Sequence, residues 1–554
     1  ALLEQCLKQD PYHVEARVWL ADILFQNAEY QQALDQVQLA LSIDTYRPHS
    51  NYVAGNIYRA MDDYANAMES FGWAARSMEF RSAAYTQMAE LAIAQGGLEE
   101  AKQLVKKALN FNQMNIAALQ AQAVAERLLG NQQMASETLS RLLELDPLNH
   151  LAHYEMSRSS ASYDLNSHFR SEFAEQTFIE LAVNYFNLGQ TQWAMDILSE
   201  VDHTVARLWM AYLHRENAQE SSRWLQQVKD EGVEFAFPFR RETANVLEWA
   251  EQSDSHWKFK YYLGLLYWDK DRLADAARLM NMYRSNPDQA VFYLSRALLL
   301  EEFDGTDQLQ DLEKARNLDP DNWRIYSQII SYHTRKGNYQ QELELAEAAH
   351  RKWPDNYDLG LSYARSLLHN QQYSKCISQL NKINLLPFEG AGESRNIYER
   401  AHLGEAIRLM ERGQHKKAIA LLEKGKQWPE NLGVGKPYSP EQRQIDYLQG
   451  VCYQALGQKS NFEVSQKALQ DYTLNYYDQG HPANILGLIS LENSGKNSQA
   501  DTIIKALEQS EQLSDQWVVA QYHGDESAII DLSPRLNQVD PVGYELLRQI
   551  IQLQ

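Results

Sequence analysis

Apolar and polar residues along the chain follow the 3.6-residue rhythm of amphipathic helices, in short runs separated by turn-forming residues. A longer rhythm lies over it. Ala33, Ala67, Ala101 and Ala135 stand 34 residues apart, each near the start of an apolar-periodic segment. Twelve residues before each stands another small residue: Ala21, Gly55, Ala89 and Ala123. Seven residues after the first three stand Ala40, Ala74 and Ala108, with Leu142 in the fourth place. Leu20, Leu24, Tyr58, Phe71, Met88, Val105 and Leu139 fill positions between them. The pattern predicts antiparallel helix hairpins, in which small residues let two helices approach and large ones interlock with the next hairpin.

Turn chemistry points the same way. Asp10-Pro11, Asp146-Pro147, Asp319-Pro320 and Trp353-Pro354 fall where one hairpin gives way to the next, because proline cannot continue a helix and biases its predecessor away from it. Gly96, Gly130, Gly189 and Gly337 fall inside hairpins and supply the left-handed residue that ends a first helix. Ala182 with Ala194, Gly264 with Ala276, Ala364 with Cys376, and Ala406 with Ala418 keep the twelve-residue interval farther along. The stretches 203–232 and 485–510 read as further hairpins, the first of them shortened. The fold expected is all-α, a right-handed superhelical solenoid of about eleven or twelve hairpins.

Spacing, small positions and breakers together resemble the tetratricopeptide repeat (TPR). That resemblance implies a scaffold or binding module, whose concave face holds a protein or peptide. The expected layout is a regular array over 1–148 with an incomplete first hairpin, an insertion at 149–173, and irregular hairpins at 174–256. A second array at 257–427, a Gly/Pro loop at 428–440, hairpins at 441–510 and a cap or tail at 511–554 complete it. A narrower resemblance rests on 10–17, 80–85 and above all Trp428-Pro429-Glu430-Asn431-Leu432-Gly433-Val434-Gly435-Lys436-Pro437-Tyr438. These stretches resemble the C-terminal half of large bacterial proteins that join a β-rich, carbohydrate-active-looking module to a TPR array. The resemblance implies an alternative function, the helical half of a glycan-processing enzyme whose catalytic module precedes residue 1. The partner is then the chain's own missing N-terminal domain, and enzyme activity stays open. The chain opens on Ala1, partway through a hairpin, so a preceding segment is expected.

Composition narrows the ligand class. A formal net charge of −22 disfavours nucleic acid, whose phosphates need a basic footprint. The low mean hydropathy, −0.54, and the lack of a long apolar run predict no membrane span. A soluble protein of the bacterial cytoplasm or periplasm is expected, with self-association into a homo-oligomer a further option. Cys6, Cys376 and Cys452 are too few for a disulfide framework and sit at helix-packing positions.

Candidate chemistry is sparse. Gly433-Val434-Gly435-Lys436-Pro437 has proline where a phosphate loop needs a magnesium-binding hydroxyl, so a structural loop is expected. His150, His153 and His168 come without the other ligands of a zinc motif. No cofactor, metal or catalytic residue is predicted. Two groups of binding residues stand out. Trp257, Tyr261 and Trp268 share one face of an aromatic helix, able to line a groove or to pack between hairpins. Asn56 and Arg59 are able to join a carboxylate clamp on the inner helices, although Asp22 and Glu90 occupy comparable positions and repel an anion.

Overall fold

Most of the hairpins are closed by one left-handed residue, and that turn is where the repeat begins. The structure is a computed structural model, which describes residues 2–159, 163–169, 173–282, 287–303, 308–387 and 391–553. After Arg81–Ala94, Gly96 takes φ +79°. The amide of Gly97 then donates to the Ala92 carbonyl at 2.8 Å and that of Gly96 to Ile93 at 3.0 Å, which satisfies carbonyls the helix end leaves open. Gly130, Gly189 and Gly337 take the same conformation, as their spacing predicts. At Ala28, Asp62, Asp271 and Gln371 it is held without glycine.

Small residues mark the crossings. Val14–Gln26 packs on Tyr30–Ile43 through Ala21 and Ala33, both fully buried. In the next hairpin, Pro48–Ala60 with Tyr64–Ala74, a Cβ added to Gly55 would fall 2.5 Å from the Phe71 ring. Ala101 is fully buried in the third. The interval carries on to Ala364, whose carbonyl accepts from Cys376 Sγ at 3.2 Å. Burial pushes the Cys376 thiol up to about 12 and that of Cys452 to about 11, so both are packing residues. Among the described residues there is no strand, and the fold is an all-α array of TPR-type hairpins.

The chain forms two compact units, Ala1–Thr306 and Asp307–Gln554. In the first, the insertion contributes the helix His150–Ser159. There His153 bonds Tyr163 and the Pro147 carbonyl, and its ring stacks on His168 with centroids 4.0 Å apart. No group of described residues is arranged to hold a metal. The shortened hairpin is Thr204–Leu213 with Ala218–Asp230, and an extra helix, Glu242–Ser253, follows it. The unit turns back on itself, since Arg272 Nη1 donates to the Ala28 carbonyl 244 residues earlier at 3.4 Å.

In the second unit one continuous core runs from Leu343 to Ile550. The Gly/Pro loop is pinned to it: Asn431 Nδ2 donates to the Leu380 and Ile383 carbonyls at 2.9 and 2.8 Å, and Ser394 Oγ to Leu432 at 2.8 Å. Gly433, at φ +67°, lies so close to Leu385 that a Cβ would meet its carbonyl at 2.9 Å. The loop is a structural joint. Beyond 511 the chain continues as Leu513–His523, Glu526–Val539 and Pro541–Gln552, and Trp517, Leu547 and Ile550 enter the core. No helix of the described residues is long and apolar enough to cross a membrane.

Candidate functional site

The first helix of each hairpin turns one face inward, so residues at repeat-equivalent positions converge on a shared concavity. In the first unit they enclose a cavity of about 670 Å³, within the size range of ligand sites. Pro48–Ala60 contributes Asn56 and Arg59, Arg81–Ala94 contributes Gln87 and Glu90, and Ile116–Leu128 contributes Gln120. From the opposite side come Asn184 and Asn187 of Ala174–Asn187, Tyr212 of Thr204–Leu213, and Asn245 of Glu242–Ser253.

Two of the arginines on the wall are already paired with carboxylates. Arg59 Nη1 meets Glu90 Oε2 at 2.5 Å and also bonds Gln87, while Nη2 donates to the Asn187 carbonyl at 3.3 Å. This guanidinium bridges three helices, two on one side of the cavity and one on the other. Arg241 meets Glu242 Oε1 at 2.5 Å and stacks over Phe25 at 3.9 Å, a cation–π contact that fixes its plane. Burial pushes the nearby Tyr30 hydroxyl up to about 12, against the lowering influence of Arg241. The Arg215 guanidinium donates to the Tyr212 carbonyl at 3.1 Å and lies 4.3 Å over its ring. What remains for a ligand is mainly carboxamide, which both donates and accepts.

One backbone approach and one side-chain hydrogen bond hold the walls together. Gly189, at φ +70°, sits so near Ala94 that a Cβ would fall 2.7 Å from its carbonyl oxygen. Trp209, almost wholly buried, donates from Nε1 to Thr243 Oγ1 at 3.2 Å and packs edge-on to Tyr212.

The two groups singled out in the sequence part company. Asn56 and Arg59 line the cavity, and the anticipated repulsion from Glu90 is cancelled by its ion pair with Arg59. Trp257 and Tyr261 lie on Trp257–Asp269, are 7% and 1% exposed, and pack against Phe292 with ring centroids 5.4 and 5.5 Å away. Tyr261 also shares a hydrogen bond with Ser295 at 3.0 Å. Trp268 is half-buried at the end of the same helix. None of the three is a lining residue of the cavity. Sequence reasoning missed Tyr212, Arg241 and Asn245, which fall in the stretch where the 34-residue count slips.

Family models of the tetratricopeptide repeat match residues 1–46, 48–72 and 240–300. No curated protein matches the chain. Among solved structures, the Naa15/Naa10 complex bound to HypK-THB is similar at 14% identity and TM-score 0.29, covering 100% of this chain and 96% of that one. Yeast Tom70 is similar at 15% identity and TM-score 0.28, covering 92% and 99%. YrrB, described as a TPR protein with an unusual peptide-binding site, is 17% identical with TM-score 0.25, covering 37% and 96%. These likenesses are weak in superposition, and the three matched stretches and the hairpins carry the assignment. The chain carries tetratricopeptide repeats, a scaffold fold typical of protein–protein interaction modules.

Proposed function

We infer that the first unit holds an extended polypeptide segment by its backbone. The observation that carries this reading is the cavity wall, where Asn56, Gln120, Asn184 and Asn245 present carboxamides from facing helices while Arg59 and Arg241 are neutralised by Glu90 and Glu242. A peptide backbone offers alternating N–H and C=O groups whatever its sequence, and a carboxamide matches both. A C-terminal carboxylate finds no free cation at Arg59, tied to Glu90, Gln87 and the Asn187 carbonyl, or at Arg241, tied to Glu242. The ligand supported best is an internal, uncharged stretch of a partner protein.

The test is fluorescence anisotropy with unstructured, C-terminally amidated peptides of zero net charge. Wild-type protein binds several unrelated sequences. The double variant Asn56→Ala/Asn245→Ala binds them about tenfold or more weakly, because each lost hydrogen bond is worth about 1 kcal/mol, while its circular dichroism melt is unchanged. Binding restricted to peptides with a free terminal carboxylate, or indifferent to both substitutions, overturns the reading.

A further inference from the structure

The second unit ends in a helix that packs on its sequence neighbours and also reaches back to much earlier helices. Pro541–Gln552 follows the hairpin Leu513–His523 and Glu526–Val539, and it also lies on Glu393–Glu411 and Arg443–Ala455, the inner helices of two much earlier hairpins. Its contact side is apolar at helical spacing: Tyr544, Leu547 and Ile550 are buried, with Leu546 beside them, while Arg548 and Gln552 face water. Tyr544 meets Trp517 edge-on at 5.4 Å and donates to Ser533 Oγ at 2.5 Å. At its start Asp540 accepts from the Gly543 amide at 3.0 Å and meets Arg400 Nη2 at 2.5 Å, 140 residues away in sequence. Gly543 permits that approach, since a Cβ there would lie 3.0 Å from Arg400 Nη2.

The docked helix does not fill its groove. A cavity of about 660 Å³ opens on one side, among Glu399, Trp428, Arg443, Leu513 and Tyr544. Another of about 470 Å³ opens beside Arg365, His369, Asn396 and Val542. Arg400 and Asp540 line both. Space of this kind costs the resident helix contacts that a larger occupant would make. The one ion pair that anchors its start is partly solvated, with side chains 31% and 39% exposed, so water replaces it at little cost. A single non-helical residue, Asp540, joins the two last helices.

We propose that the inner groove of the second unit is a receptor for amphipathic helices, occupied in cis by 541–552 and opened when a partner helix displaces it. The resident defines the chemistry of that partner: an acidic N-cap to meet Arg400, followed by bulky apolar residues three apart on one face. Cis occupancy lowers the apparent affinity for a partner by the fraction of molecules whose groove is closed, so loosening the resident strengthens binding in trans. This site is separate from the cavity of the first unit and takes a folded helix instead of an extended strand.

The probe is a fluorescein-labelled peptide of residues 537–553, titrated against the full chain. The variant Leu547→Asp/Ile550→Asp, which loosens the resident helix and leaves the inner helices untouched, is expected to bind it at least about tenfold tighter than wild type. A peptide carrying Asp540→Lys binds more weakly, since it loses the helix cap and meets Arg400 with like charge, and Arg400→Glu in the protein recovers part of that loss. Equal binding to wild type and variant, or no restoration by the charge swap, overturns the proposal. Hydrogen exchange on the unaltered protein guards against a variant that merely unfolds. Amides of 544–552 are expected to exchange at least about a hundredfold faster than those of 445–455. Equal protection makes the helix a permanent part of the core and overturns the proposal as well.

Discussion

Left-handed turn residues decide how tightly each hairpin closes, and they come in two kinds. At Gly189 the conformation coincides with a close backbone contact, so alanine there meets both a positive φ of 70° and the Ala94 carbonyl. Gly189→Ala is expected to cost about 2–3 kcal/mol by urea unfolding, because strain and overlap add. Gln371, exposed and at φ +54°, is the opposite case. Gln371→Gly relieves a left-handed side chain and is expected to stabilise by about 1 kcal/mol, less whatever the freer unfolded chain takes back. The glycine turns were legible in the sequence because glycine is the residue that such a φ favours. Those at Ala28 and Gln371 were not, since nothing in those residue types announces the conformation, and aspartate, which tolerates it at Asp62 and Asp271, is too common in the chain to single them out. The cysteines were legible too: Cys376, read as the small partner of Ala364, has its thiol against the Ala364 carbonyl. With its pKa pushed up to about 12, it is expected to resist a thiol reagent at pH 8 until the protein unfolds.

Helices show where periodicity is informative and where it fails. It placed the crossing at Ala101, fully buried in Leu98–Phe111, and it placed Asn56 and Arg59 on an inner face. Periodicity alone did not decide which aromatic face of Trp257–Asp269 meets water, because ten of its thirteen residues are buried and no polar side marks the outside. A helix apolar all round is packed on every side, and its pattern carries no direction. Trp257→Ala is therefore expected to lower stability by about 3–5 kcal/mol, as deletion of a buried indole does, while peptide affinity in the first-unit cavity changes less than about twofold. A loss of affinity with an intact melt would return this helix to the binding surface. The other half of the cavity was hidden for a different reason. Tyr212 and Asn245 reach it from the shortened hairpin and the extra helix Glu242–Ser253, and a search by 34-residue offset passes over both.

At the scale of the whole molecule, the acid excess of −22 conceals carboxyls that do not behave as surface acids. In the second unit, burial pushes Glu399 up to about 7, with Arg395 opposing and the nearby Glu441 carboxylate reinforcing the rise. Burial holds His402, on the same helix, down at about 4. The two groups pull stability in opposite directions as pH changes. Glu399 has a higher pKa folded than unfolded, so its contribution is full below about 4.5 and is lost as pH rises through about 7. His402 has a lower pKa folded than unfolded, so its contribution is full above about 6.5 and is lost as pH falls through about 4. The windows overlap between about pH 4.5 and 6.5, where one contribution falls as the other grows, so their sum is nearly level there. The Glu399 share is about 1–3 kcal/mol, since a tenfold change in an ionisation equilibrium is worth about 1.4 kcal/mol and partial solvent access reduces the total. Glu399→Gln removes the falling part, because an amide stays neutral where the acid must ionise. Between pH 5 and pH 7 the melting temperature of the variant should therefore rise by several degrees relative to that of wild type. Parallel curves would mean that Glu399 ionises freely in the folded protein, and that the wall of the second-unit cavity is wet enough to solvate it.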